Sequence, residues 1–500
     1  MSSKARTLVK GSFAGTCNFL ANAIVGFMLM PFIIHSLGDK EYGLWVIVGS
    51  LLGFYGLFSF GLVPAIQRYI SRAIGRKDWQ EANKVINTSL FLFSILGLIA
   101  LLIIPIIMMV IPRFVKNPVE VNLFRQIVLI LGLSTAMAFP MRVFSGVLIS
   151  HIRYDLYTSI ELIKLLVRAV LVVIFLKMGY GILALAFITA GVEISGYIIK
   201  LILVRIMYKY ITLSRTFVDL KLLRPLFKYS SVSFVIEIAV QLSSRIGNFV
   251  IAGFMGLSFV TVYAVASNLI RYFSKSISSS VGLMLPVFSQ YEGKNDYYSI
   301  REKYILSVKI SGYLSVFIGG ALIVFGRVFI ERWMGKEYLS AYPLLVVLAI
   351  PTILSLMQKP SRELLYGVSK HKFYAIVNSI LGITTLIFSL ILVKKFGLMG
   401  VALGFAIPLI IVKLFIEPIY VCKVINFEIR KYYFKIIMPI ILKSFLIFLA
   451  FWQIFKSFIV PNYLNLVILI SCESLLFSIV IFFIGFNNTE KNYFKKAIMG

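Results

Sequence analysis

Ser71-Arg72-Ala73-Ile74-Gly75-Arg76-Lys77-Asp78-Trp79 returns as Ser289-Gln290-Tyr291-Glu292-Gly293-Lys294-Asn295-Asp296-Tyr297, 218 residues later (289 − 71). A second echo lies further along each copy. Pro140-Met141-Arg142 matches Pro360-Ser361-Arg362, His151 matches His371, Tyr154 matches Tyr374, and Ser159-Ile160 matches Ser379-Ile380, now 220 apart (360 − 140). The chain is a duplication. A helical membrane protein of two like lobes is a transporter architecture, with its substrate site between the lobes.

The composition supports a membrane chain. Hydrophobic residues make up 60% and charged residues 14%, against about 25% charged in soluble domains. Mean hydropathy is +0.95. A net charge of +30 would suggest nucleic acid on a soluble protein. Here the cations gather in alternate loops, so orientation and contact with anionic lipid account for them and no nucleic-acid partner is expected. The basic N-terminus (Lys4, Arg6, Lys10) runs into an apolar stretch too long for a signal peptide, with no small-residue cleavage site after it, and reads as a retained span. Cys17, Cys422 and Cys472 are far apart, and His35, His151 and His371 are scattered, so no metal, cofactor or disulfide framework is expected.

Apolar runs predict fourteen spans: 11–34, 42–66, 86–111, 123–149, 156–177, 181–204, 229–253, 257–287, 305–326, 341–367, 373–393, 398–421, 434–456 and 463–485. The fold class is all-α integral membrane. Residues 1–210 form an N-lobe of six spans, 222–425 a C-lobe of six, and 430–488 a C-terminal pair outside the repeat. Six is even, so the lobes are parallel repeats. Arg68, Arg72, Arg76, Lys77, Lys84 and the cations of the Met207–Lys228 linker fall on one side. The loops opposite hold far fewer, which puts the first set, and both termini, in the cytoplasm. There is no glycine-rich phosphate loop followed by Lys-Ser or Lys-Thr. The loops are too short for a folded domain, and their acids too dispersed for a hydrolase or glycosyltransferase, so an enzyme is not expected.

Ionisable groups inside spans are costly and face a cavity or a partner. Span 8 carries Arg271 and Lys275 one turn apart, followed by Ser276, Ser278, Ser279 and Ser280. They form either an anion-binding wall or cations that snorkel along a tilted helix. Glu237, Gln241 and Arg245 line one stripe of span 7, as a self-neutralising ladder or as a cavity face with Glu237 taking a coupling ion. Glu161, Lys164 and Arg168 share a face of span 5, where Glu161 can pair with Lys164 and leave Arg168 free. The Pro-x-Arg of Pro140 and Arg142, and of Pro360 and Arg362, implies a shared hinge or interfacial role, since proline bends a helix and frees a carbonyl. Lys413 and Glu417 are expected to pair. Glu193 and Glu473 are isolated, Glu473 being a weak candidate. Span 1 offers Asn18 and Asn22 on one face. One lobe thus presents cations and the other an uncharged wall, which suits an amphiphile with an anionic head and a polar portion.

The N-terminal Gly11-Ser12, then Leu37-Gly38 and Glu41-Tyr42-Gly43-Leu44-Trp45, Gly61-Leu62 and Gly179-Tyr180-Gly181-Ile182, resemble the polysaccharide-biosynthesis flippases of the Wzx or O-antigen translocase type. These belong to the MATE-like superfamily of exporters, and the resemblance runs over essentially the whole chain. It implies transfer of an undecaprenyl-diphosphate-linked oligosaccharide (an O-antigen or capsule repeat unit) from the cytoplasmic to the outer leaflet of the cell membrane by alternating access. It also implies a cationic cavity, which on this sequence selects Arg245, Arg271 and Lys275 for the diphosphate, with Asn18 and Asn22 toward sugar hydroxyls. The implied partners are the lipid-linked oligosaccharide, membrane lipids and other glycan-assembly proteins. Related lipid II flippases place arginines in span 1, and this chain has none there. The alternative is a cation-coupled multidrug or metabolite exporter of the same superfamily, which the positive wall argues against.

Overall fold

In the computed structural model, which describes residues 3–59, 62–110, 117–281, 284–488 and 490–492, the duplicated stretch is a corner between two helices. Lys77 and Asn295 both take positive φ, 57° and 55°. At each corner two backbone N–H groups turn back onto the ending helix: Lys77 onto Ile74 (3.0 Å) and Asp78 onto Ala73 (3.0 Å), Asn295 onto Glu292 (2.9 Å) and Asp296 onto Tyr291 (3.0 Å). This is a left-handed C-cap. The aspartate that follows then caps the next helix, accepting from the N–H of Glu81 (2.8 Å) or Ser299 (3.0 Å). The two-fold signal is thus a stop and a start packed into one short motif.

The first helices are α1 (Ser3–Tyr55), α2 (Leu62–Arg76), α3 (Trp79–Val110), α4 (Pro118–Ser150), α5 (Tyr154–Lys177) and α6 (Ile182–Met207). After the linker come α7 (Leu223–Phe254), α8 (Leu257–Val281), α9 (Met284–Gly293), α10 (Tyr297–Met334), α11 (Ala341–Met357), α12 (Lys359–Gly367) and α13 (His371–Ile410). A π-helical stretch leads to α14 (Glu417–Val424), and α15 (Ile429–Tyr432), α16 (Met438–Phe455) and α17 (Tyr463–Ile484) complete the chain. Ten segments among the described residues are long and apolar enough to cross a membrane. Two of them are double, bent at Gly38 (φ 77°) and Gly397 (φ 56°). Helices α5 and α8 are long enough but too polar to count among the ten, because α5 carries Glu161, Lys164 and Arg168 and α8 carries Asn268, Arg271 and several serines. With these the long helices number fourteen, as expected.

The backbone repeats the sequence period. Positive φ recurs 218 residues apart at Gly38 and Gly256, Lys77 and Asn295, and Gly179 and Gly397. Gly38 ends the first span in a conformation that costs a residue with a Cβ energy. Gly43 is small for a second reason, since a Cβ there would overlap the Leu257 carbonyl oxygen.

Several boundaries differ from the apolar runs. The second span stops at Tyr55 rather than at residue 66. The residues beyond it form the separate amphipathic helix α2, which buries Leu62, Ala65, Ile66, Ile70 and Ala73 and exposes Arg68, Arg72 and Arg76. Span 8 is helical to Val281, and helix is described again from Met284. Span 10 breaks at Gln358, where Pro360 at the start of α12 lacks the N–H to continue α11. The matching Pro140 sits inside an unbroken α4.

The chain divides into two compact units, Met1–Gln241 with Ile251–Thr261, and Leu242–Val250 with Val262–Gly500. In the first, the linker is stitched to α3. The Asn83 amide donates to the Tyr210 carbonyl (2.8 Å) and accepts from the Thr212 N–H (2.9 Å). Asn87 repeats this one turn on, with the Thr212 carbonyl (2.8 Å) and the Ser214 N–H (3.0 Å). The Thr88 hydroxyl accepts from the Asp219 N–H (2.9 Å). Side-chain amides stand in for a neighbouring strand, so an irregular linker keeps its backbone paired. His151 adds a clamp: its ring stacks on Tyr208 (3.7 Å), and its Nε2 meets the Tyr210 hydroxyl (3.0 Å).

In the second unit the C-terminal pair is tied to the α11–α12 break by a buried polar cluster. The Tyr432 hydroxyl donates to Gln358 Oε1 (2.9 Å), which also accepts from Ser361 (3.0 Å), and Ser361 meets the Tyr304 hydroxyl (2.8 Å). Pro418 cannot donate to the Leu414 carbonyl, and the Tyr433 hydroxyl does so instead.

Candidate functional site

Helix α8 changes character along its length. From Leu257 to Ile270 it is buried almost all round. From Arg271 on, Phe273 and Ile277 stay buried while Arg271 and Lys275 are exposed on one face. The Arg271 guanidinium lies 5.8 Å from the Tyr272 ring. Arg245, on α7, is half-buried. A Cβ added at Gly247 would stand 3.4 Å from the Tyr263 hydroxyl and 3.1 Å from Val401, so α7 and α8 meet there. With α7 and α8 antiparallel and residue 247 level with 263, Arg245 lies level with about residue 265. At ~1.5 Å per residue, Arg271 sits about 9 Å further along α8 and Lys275 about 6 Å beyond that. All three cations belong to the second unit. They form a ladder in depth that phosphate oxygens could climb, Arg supplying a two-pronged grip.

The other expected residues lie as follows. Glu237 is exposed and accepts from Gln241 (3.0 Å). Asn18 donates to the Thr158 carbonyl (3.4 Å), joining α1 to α5, and Asn22 donates to the Asn18 carbonyl (2.8 Å) and side chain. Both amides therefore already serve packing. Arg142 lies 4.8 Å from the Phe139 ring. Arg362 stands 5.5 Å from the Tyr366 ring and 4.0 Å from Glu363. Arg168 is half-buried and, among the described residues, has no ion-pair partner.

Glu193, which reads as isolated in the sequence, is not. Lys164 reaches both Glu161 (3.1 Å) and Glu193 (2.7 Å), and Lys200 reaches Glu161 (2.5 Å). Lys164 and Lys200 are only 8% and 2% exposed, and Tyr157 and Tyr197 lie 4.7 and 5.3 Å from the Lys200 ammonium. Two acids and two lysines make a neutral tetrad, the form in which buried charge is tolerable. Sequence reasoning missed Lys200. Its signal was depth: folding the hairpin at Gly179 sets Glu161 beside residue 197 and Lys164 beside residue 194. Lys413 and Glu417 pair as expected, at 2.5 Å and almost fully buried.

Two apolar hollows, about 690 Å³ between α5 and α6 and about 380 Å³ along α16, are lined by none of these cations. Among the described residues no group of three or more His, Cys, Asp or Glu gathers to hold a metal.

Residues 37–343 match the family described as polysaccharide biosynthesis protein. A putative O-antigen transporter of Shigella flexneri is 22% identical over 420 residues, covering 83% of this chain and 98% of that one. The lipid II flippase MurJ in an inward closed conformation superposes with a TM-score of 0.73 at 15% identity, covering 98% of this chain and 100% of that one. An inward-facing multidrug resistance MATE family transporter of the MOP superfamily also gives 0.73, at 16% identity, covering 82% of this chain and 94% of that one. The architecture is that of the MATE and MurJ-like proteins.

Proposed function

We propose that this chain, which belongs to the polysaccharide biosynthesis protein family, is a flippase for a lipid-linked oligosaccharide and works by alternating access in the cytoplasmic membrane. The observation that carries the reading is the cation ladder on α7 and α8 of a membrane-spanning protein. Arg245, Arg271 and Lys275 replace the water and counterions of a diphosphate, and the lipid tail stays in the bilayer. The names of the relatives, an O-antigen transporter and a lipid II flippase, describe cargo of this kind. The undecaprenyl carrier, the residues 1–210, 222–425 and 430–488 as working lobes, cytoplasmic termini and ion coupling at Glu237 belong to the same proposal. Asn22 spends its amide N–H groups on Asn18 and keeps its oxygen for sugar, while Asn18, whose oxygen already accepts from Asn22, keeps one N–H. Arg142, Arg168 and Arg362 are auxiliary, at the hinges or the cavity edge. Membrane potential favours outward release of an anion, by about 2.3 kcal/mol per charge per 100 mV.

The test is export in the native host. Arg271→Gln with Lys275→Gln leaves protein levels intact, stops surface glycan and accumulates the lipid-linked oligosaccharide inside. Normal glycan in the double variant removes the site assignment, and normal glycan in a deletion strain removes the flippase reading.

A further inference from the structure

Glu473 is a carboxyl at the middle of α17 that, among the described residues, none neutralises or hydrogen-bonds. It is 0% exposed. Both carboxyl oxygens are buried without a hydrogen-bond partner. It stands on the buried stripe of its helix with Leu466, Leu469, Phe477 and Ile481. Leu469 and Leu466 pack with Phe325 and Phe451, and Phe477 with Phe317 and Phe448, so α10 and α16 close over the stripe.

Among the described residues the surroundings offer no counter-charge. Helix α17 has no other charged residue, and its neighbour Cys472 is exposed. On α10 the charged groups nearest in sequence are Lys309, held by Glu490 at 2.7 Å, and Arg327; the one titratable side chain between them, Tyr313, is directed at the Gly485 carbonyl (3.5 Å). On α16 there is no charge between Lys443, which donates to the Ile484 carbonyl (2.6 Å), and Lys456. The other wholly buried, unpartnered polar atom of this helix pair, among the described residues, is Ser444 Oγ. A carboxylate ion in such a place costs many kcal/mol, and even a neutral acid with unmet hydrogen bonds costs roughly 1–3 kcal/mol. Every other acid deep in α5, α6 or α14 has a lysine.

We propose that Glu473 is a proton-binding site. Its proton is held while α17 is packed against α10 and α16. When α17 parts from them and water enters, the O–H bond breaks, the electron pair stays on the carboxylate and the proton passes to water. Packing of the C-terminal helix pair is therefore proton-linked. Acid favours the packed state, and each pH unit above the titration midpoint shifts the packed-to-open ratio about tenfold toward open. The idea is independent of the cargo.

The test uses the full chain in lipid nanodiscs. In the infrared spectrum at neutral pH, wild type shows a protonated-carboxyl band that Glu473→Gln lacks. With rising pH that band disappears and protection of α17 amides, taken relative to the intrinsic base-catalysed exchange rate, falls in wild type, while protection in the variant stays level. Glu473→Leu, which removes the unmet polar atoms, serves if the glutamine variant fails to assemble, with the same level profile expected. No difference band at neutral pH, or a band and a protection factor unmoved from acid to strongly alkaline pH, overturns the proposal.

Discussion

In α5 and α6 four ionisable side chains close on one another: Glu161 and Glu193 take up Lys164 and Lys200, and the sum is neutral. In α8, Arg271 and Lys275 face outward from a helix whose other side is buried, with no acid anywhere on that helix. Both sets lie in long helices of a membrane protein, and each carries a cost that something must offset. The first is offset within the fold, at the moment α5 and α6 pack. The second lies on an exposed face, where water or a ligand can reach it. Charge inside a membrane span is therefore not a single signal. Buried and matched acid to base, it holds two helices in register; turned to an exposed face, it is available to an anion.

The sharpest way to break the contrast is to swap the consequences. Arg271→Gln or Lys275→Gln should weaken headgroup binding by roughly 10–100-fold each, the worth of a hydrogen bond to a charged group, with thermal stability unchanged. Binding of a diphosphate lipid to purified protein measures it. Glu161→Gln should do the reverse. It strands Lys200, which is 2% exposed, and should cost about 3–5 kcal/mol of stability, read as a lower melting temperature, before any effect on cargo. Lys413→Met alone should destabilise for the same reason, whereas Lys413→Met with Glu417→Leu should recover to within about 1–2 kcal/mol of wild type, since a buried pair exchanges nearly evenly for apolar packing.

Smaller effects belong to the linker. Asn87→Ala removes two hydrogen bonds to the linker backbone and one to its own helix, the linker pair worth about 1–2 kcal/mol, and should raise hydrogen exchange at residues 210–216. The smallest is a pH effect at His151. Burial pushes its imidazole below the ordinary histidine value, against the Val147 carbonyl that favours the proton. The neutral ring donates from Nδ1 to Val147 (2.9 Å) and accepts from Tyr210 at Nε2. The unfolded chain binds the proton more readily, so this stabilisation is full above about pH 6.5 and is lost as pH falls through the depressed folded value. Protection of linker amides, relative to the intrinsic exchange rate at each pH, should fall on acidification in wild type and not in His151→Gln.

Much of this was legible in the chain. The 218-residue period marked helix corners because an Asp N-cap straight after a left-handed residue leaves few sequences free to vary. The Lys413–Glu417 pair showed because both partners sit on one helix, one turn apart. The Glu193 and Lys200 partnership did not, because its members are far apart in sequence and meet only through the α5–α6 hairpin. The Pro-x-Arg echo takes two different local forms. Pro140 stays inside a continuous helix, whereas Pro360 ends one, where Gln358 and Ser361 have Tyr304 and Tyr432 to receive them; at the equivalent N-lobe positions stand Ala138, Met141 and Ile86.

Hydropathy and capping chemistry are local, and so the sequence alone settled that this is a duplicated, many-helix membrane protein with cations in its eighth span. Which buried charges are matched, where a proline breaks its helix, and that Glu473 has no partner were decided by packing, because each depends on which distant side chain arrives at the same depth.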